Sequence, residues 1–267
     1  QRPVMTALQI ESINDDLRNG IWNVLEELLW SRNSFVERSV HYEESPMEDL
    51  GQAIWLKLWK LRLDRMPNSG DDFVGAVRQY YFSSTTTWYD IYDLIEFIVA
   101  NVSHDDLVLR LNQALESELS AFRFVGKTLT PITSPGEVQI LQQELDDPAF
   151  PGVQKHLLRA LEFLSDKRNP DYRNSIKESI SAVESVARVI TRKDSATLGD
   201  ALALLEKKHA LHPSLRQSFD KLYGYTSDKD GVRHAMLAEP NLTQAEAKFF
   251  LLSCTSFVNY LKSLVAT

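Results

Sequence analysis

Cysteine is almost missing from this chain. One thiol, Cys254, stands among 267 residues. A disulfide framework within one chain and a cysteine-built zinc site are therefore excluded. Glycine-rich phosphate loops are missing too. Neither Gly-x-Gly-x-x-Gly nor a Walker-type loop occurs, which sets aside the standard dinucleotide and nucleotide-hydrolysing folds. There is no Gly-x-Ser-x-Gly nucleophile elbow and no His-Glu-x-x-His pair. Positive charge is in the minority: 29 Lys and Arg stand against 37 Asp and Glu, for a net charge of -8. That balance argues against a whole-surface nucleic-acid binder and leaves room for a local basic patch. No apolar run is long enough to span a bilayer. The first residues, Gln1 to Thr6, carry no apolar signal core. We therefore expect a cytoplasmic protein with no membrane partner.

Hydrophobic residues make up 43% and charged residues 25%, as in an ordinary globular protein of one large or two average domains. Apolar residues recur at three- and four-residue spacing over most of the length. The spacing predicts helices over 10–42, 47–64, 71–83, 88–102 and 104–122, with Ser12 as the first cap. In the second helix the apolar set is Ile54, Trp55, Leu58, Trp59 and Leu61. From Ala121 to Thr133 aromatic and β-branched residues alternate with polar ones, with Gly126-Lys127 at the turn. This predicts a small β-hairpin. Helices are predicted again over 136–146, 153–165, 171–192, 197–209, 213–223 and 243–264, the last with a Thr243/Glu246 capping box. The fold class is all-α with one hairpin. The Pro/Gly/Asp-rich stretch 146–152 marks the expected boundary between a domain of residues 1–150 and one of 151–267.

The richest chemistry lies between two helical segments, in the stretch from Tyr223 to Met236. His234 can take or give a proton near neutral pH. Arg233 and Lys229 can neutralise a phosphate, and Asp230 can orient one of them. RNA cleavage without a metal needs a base for the ribose 2′-hydroxyl, an acid for the leaving 5′-oxygen and a cation on the phosphorane oxygens. One histidine supplies half of that set. Two chains across a twofold axis supply both halves. The plainer reading is a glycine-rich joint with solvated charges. His209 and His212 are three apart and suit either one metal or a helix C-terminus, and the latter is favoured. Trp22, Trp30, Trp55, Trp59 and Trp88 sit among leucines at helical spacing. That marks them as core rather than as base-stacking platforms. No cofactor and no metal are called for.

At these residues the chain resembles a known family. Residues 153–265 are similar to HEPN domains, helical bundles of prokaryotic defence and RNA-processing proteins. Their motif of arginine, a polar residue, three further residues and histidine falls here on Lys229 to His234, with lysine in the first place. The whole chain resembles AbiJ-type abortive-infection proteins through Leu17–Asn23, Phe122–Gly126 with Pro131-Ile132, Pro170–Glu184 and Gly231–His234. The resemblance implies a homodimeric, metal-independent endoribonuclease of phage defence. His234 would be its base, Arg233 and Lys229 its cations, and Asp230 the orienting group. RNA is the implied substrate, and any regulatory partner is left unspecified. A non-catalytic HEPN-like sensor binding nucleotide, RNA or protein is the alternative, and a purely structural dimer a third. If the polar side of helix 171–192 lines the groove of His234, Asn174, Lys177, Glu178 and Ser181 support the site. Otherwise they form a solvated helix face.

Overall fold

The computed structural model describes residues 8–31, 46–193, 197–208, 211–227 and 242–265. Among them the chain is mostly helical, with eleven α-helices and one two-stranded hairpin. It forms two compact units, Gln1–Thr133 and Ser134–Thr267.

In the first unit α1 spans Asp15–Leu25 and runs into a π-helical turn, Glu26–Trp30. Its cap is Asn14, not Ser12. The Asn14 side chain accepts the Leu17 N–H at 2.8 Å, and Gln9 Oε1 holds the Asn14 N–H at 2.7 Å. Helix α2 (Pro46–Ala53) also passes into a π turn, Ile54–Leu58. The widened turn ends the helix at Trp59, short of the predicted residue 64. Lys60 then takes a left-handed conformation (φ 53°), as helix ends often do. The Trp55 indole N–H donates to the Arg62 carbonyl at 2.8 Å and pins the outgoing chain. Leu61, expected in the apolar set of this helix, lies beyond its end and is exposed. A 3-10 turn, Leu63–Arg65, follows. Then come α3 (Gly70–Tyr81), α4 (Trp88–Asn101) and α5 (Leu107–Ser117). Thr87 and Asp90 form a reciprocal capping box at the start of α4.

Packing here is α1 on α5, with α4 against the second π turn. The core takes Leu17, Ile21 and Leu25 from α1, Ile91, Ile95 and Ile98 from α4, and Leu111 and Leu115 from α5, all fully buried. Each such side chain contributes about 1.5–3 kcal/mol. Trp22, Trp30 and Trp55 are buried, while Trp59 and Trp88 pack against the same core partly covered. All five tryptophans thus do the packing their spacing predicts.

Strands β1 (Arg123–Val125) and β2 (Thr128–Thr130) pair antiparallel, Phe124 opposite Leu129. Gly126 turns the chain at φ 58°, a conformation glycine adopts without strain. Two strands alone leave outward backbone groups unpaired. Helical side chains satisfy them. Asn112 of α5 accepts the Phe124 N–H at 2.7 Å and donates to its carbonyl at 3.0 Å. Glu96 of α4 accepts the Leu129 N–H at 2.8 Å.

The second unit contains α6 (Pro135–Leu145), α7 (Pro151–Ser165), α8 (Tyr172–Thr191), α9 (Leu198–Lys208), α10 (Pro213–Ser227) and α11 (Gln244–Val265). Helix α6 packs on α7 and α11. The 146–152 stretch is thus a joint inside this unit, and the units divide at Thr133/Ser134. Helix α8 is the hub, packing on α7, α9 and α11. One side of it is apolar: Ile176, Ile180, Val183 and Val186 are buried. A second buried side is small and carries Ser175, Ser179 and Ala182. Ser175 Oγ donates to the Ala160 carbonyl of α7 at 2.8 Å, and Ser179 Oγ to the Ser175 carbonyl at 2.8 Å. Small residues let the two backbones approach, and a Cβ on Gly152 of α7 would collide with Ser185 Oγ of α8.

Candidate functional site

Lys229, Asp230, Arg233 and His234 lie outside the described residues. In sequence they fall between the end of α10 at Ser227 and the start of α11 at Gln244. The predicted helix 213–223 runs on through Ser227, so residues 224–227, expected in the connection, belong to α10. Gly224 looks like a breaker, but a helical glycine costs only about 1 kcal/mol. The preceding tyrosine holds the helix in place. Tyr223 Oη donates to Glu184 Oε1 of α8 at 2.6 Å. This bond attaches the last turns before the motif to the hub helix. The far side of the connection begins with the Thr243/Glu246 capping box. Glu246 accepts the Thr243 N–H at 2.8 Å, and Thr243 Oγ1 accepts the Glu246 N–H at 3.3 Å.

The four supporting residues expected on α8 are all described. Asn174 belongs to the helix cap, where its N–H and side-chain amide donate to Asp171 at 2.9 and 2.6 Å. Ser181 Oγ donates to the Lys177 carbonyl at 3.0 Å. Lys177 is exposed. Glu178 faces α7, where its Oε2 lies 2.7 Å from His156 Nδ1. Three of the four are thus engaged within their own unit.

His156 escaped the sequence reading because its partner lies 22 residues away on another helix. Its side chain keeps 31% of its surface and that of Glu178 only 16%. A carboxylate on Nδ1 orients an imidazole and leaves Nε2 as the reactive nitrogen. Below α10 an apolar crevice is lined by Ile180, Val183, Leu222, Tyr223, Cys254 and Phe257, among others. Burial pushes the Cys254 thiol up to about 12, so it stays protonated and unreactive at neutral pH.

The base of α11 carries a buried charge cluster. Lys262 Nζ lies 2.5 Å from Glu144 Oε2 and 2.6 Å from Asp147 Oδ2. It also sits 4.3 Å from the centre of the Phe150 ring. The Lys262 hydrogen bond, helped by the Ala149 N–H, holds the Asp147 carboxyl below its usual range. These groups brace α11 against the α6–α7 joint.

The first unit holds a roomier cleft of about 370 Å3, lined by Asp49, Leu50, Gln52, Ala53, Leu56, Lys57 and Asn101. Among the described residues no three of His, Cys, Asp and Glu come together as a metal site. His209 is outside that set. His212 is exposed and accepts the Ser214 N–H at 3.2 Å. No described helix is long and apolar enough to cross a membrane.

Compared with known proteins, residues 1–147 match the family model of AbiJ N-terminal domain 4. No curated protein and no solved structure matches the chain.

Proposed function

The chain belongs to the AbiJ-type abortive-infection proteins through AbiJ N-terminal domain 4, and on that premise we propose that it is a phage-defence endoribonuclease. Its second unit is read as a HEPN-like bundle working as a homodimer. The reading rests on one observation above all. The window from Lys229 to His234 directly follows a helix that Tyr223 ties to the hub helix α8. The chain enters that window from a helix anchored to the bundle.

In this mechanism His234 takes the proton of a ribose 2′-hydroxyl. The 2′-oxygen bonds to phosphorus and the bond from phosphorus to the 5′-oxygen breaks. His234 of the partner subunit, protonated, gives its proton to the leaving oxygen, and a 2′,3′-cyclic phosphate results. Arg233 and Lys229 neutralise the phosphorane oxygens, where the charge develops, and Asp230 orients one of them. Purified wild type is expected to degrade total RNA or tRNA in the presence of a chelator, while His234→Ala does not. Intact RNA with both proteins overturns the enzyme reading.

One further reading has its own support. Lysine at position 229 is a point charge without the planar fork of arginine. Asn174, Glu178 and Ser181 are already engaged inside the unit. Both facts favour a HEPN-like module that binds RNA, nucleotide or protein without cutting. RNA retained by wild type, released by His234→Ala and recovered intact would select it.

A further inference from the structure

In a chain of net charge -8, the eleven residues from Leu56 to Met66 carry four basic side chains (Lys57, Lys60, Arg62, Arg65) and one acid, Asp64. Every residue from Lys60 to Arg65 is exposed. Leucines alternate with the charges and are exposed as well: Leu56 by 42%, Leu61 by 45% and Leu63 by 58%. Single exposed leucines are ordinary. Three within eight residues, interleaved with basic groups, are not explained by the core.

The fold holds this arrangement out on purpose-built geometry. The π turn ends the helix at Trp59, and Lys60 follows in the left-handed region. The Trp55 indole then fixes the Arg62 carbonyl. Arg62 is spent locally, since its guanidinium makes two hydrogen bonds to Asp64 at 2.9 and 2.6 Å. Lys57, Lys60 and Arg65 carry the remaining positive charge; Asp64 is already matched, and Asp49 lines the same cleft as Lys57. The nearest following acids, Asp71 and Asp72, sit in the first turn of α3, where Ser69 binds Asp72.

We propose that this segment is a docking surface for an anionic lipid bilayer. Charge complementarity selects the partner. Basic residues are attracted to acidic headgroups, and the leucines between them enter the boundary between headgroup and acyl chain. Single-stranded nucleic acid is the other polyanion that basic groups attract, but its sequence-independent binding stacks bases on aromatic platforms beside the charges. Here the aromatics are committed elsewhere. Trp59 packs on Tyr80 with ring centres 4.8 Å apart and on Trp55 at 5.8 Å, and Trp55 is buried. The groups left exposed are aliphatic. No membrane partner was expected because the chain has no span, but a peripheral contact needs none. The proposal is independent of the ribonuclease reading.

The test is co-sedimentation of the full chain with vesicles of phosphatidylcholine, alone or mixed with phosphatidylglycerol. Wild type is expected to pellet with the mixed vesicles and not with the neutral ones, less so as salt rises. Lys57→Gln, Lys60→Gln and Arg65→Gln together should weaken partition about a hundredfold, at roughly fivefold per basic residue near an anionic surface. Leu61→Ser with Leu63→Ser should weaken it about tenfold or more. All five positions are exposed, so both variants should keep the wild-type circular dichroism and melting temperature. Failure of wild type to pellet with the mixed vesicles, or equal pelleting with both kinds, overturns the proposal. So does wild-type partition by the leucine variant. A short single-stranded RNA shifted by wild type and the leucine variant, but not by the charge variant, would assign the surface to nucleic acid instead.

Discussion

Lys262→Met keeps an apolar stem over Phe150 and removes one charge. Its consequence is set by what is left behind. The Glu144 side chain is 4% exposed and that of Asp147 31% exposed. Asp147 retains water and the Ala149 N–H. Glu144 has little access to either, so the substitution strands a carboxylate where solvation is poor. Breaking a buried pair by deleting one partner costs about 3–5 kcal/mol. The half-solvated Asp147 places this case near the lower end, about 3 kcal/mol. For a unit of this size that lowers the melting temperature by roughly 10 °C. Scanning calorimetry of the full chain reads it. Adding Glu144→Gln should return more than half of the loss, because the orphaned charge is gone. Acid sensitivity gives a second check. The folded state depresses the Asp147 carboxyl, so its contribution is present above the unfolded value of about 3.9 and disappears as pH falls through the lowered one. That acid-side loss should shrink in Lys262→Met. The reasoning fails if Lys262→Met melts with wild type, or if the double variant melts no higher than the single.

Tyr223→Phe removes the hydroxyl that binds Glu184 at 2.6 Å. It should cost about 1–2 kcal/mol and speed amide exchange in α10 more than in α7, as read by hydrogen-exchange mass spectrometry. Uniform exchange would mean the bond does not hold α10. Cys254 should resist iodoacetamide in the native protein and react on unfolding. Burial raises its pKa to about 12, so its share of stability is intact below the unfolded value of about 8.5 and is lost as pH rises toward 12. Rapid native alkylation at pH 8 would refute the buried placement.

Helix positions were readable because burial imposes periods that the chain writes locally. The stripe Ile176, Ile180, Val183 and Val186 places α8 within a residue of its observed ends. The hairpin was readable from Gly126 between alternating segments. The cap at Asn14 was not, because Gln9 selects it from outside the helix. Leu61 was placed in the second helix because its spacing continues the apolar pattern, but that helix ends at Trp59 after its π turn.

The sequence by itself determined that this is a helical protein with one hairpin, without a cysteine metal centre or a nucleotide loop. It also determined that a histidine with basic neighbours follows one of its last helices. Each of these is a matter of residue type and local period, and the AbiJ resemblance rests on the same local stretches. Tertiary structure alone decided that Glu178 belongs to His156, that Tyr223 belongs to Glu184, and that Lys262 gathers Glu144 and Asp147. It alone decided that the leucines beside Lys60 face outward. These pairings join residues tens to more than a hundred positions apart, or depend on where a helix turn widens. Packing fixes such relations, and no local period records them.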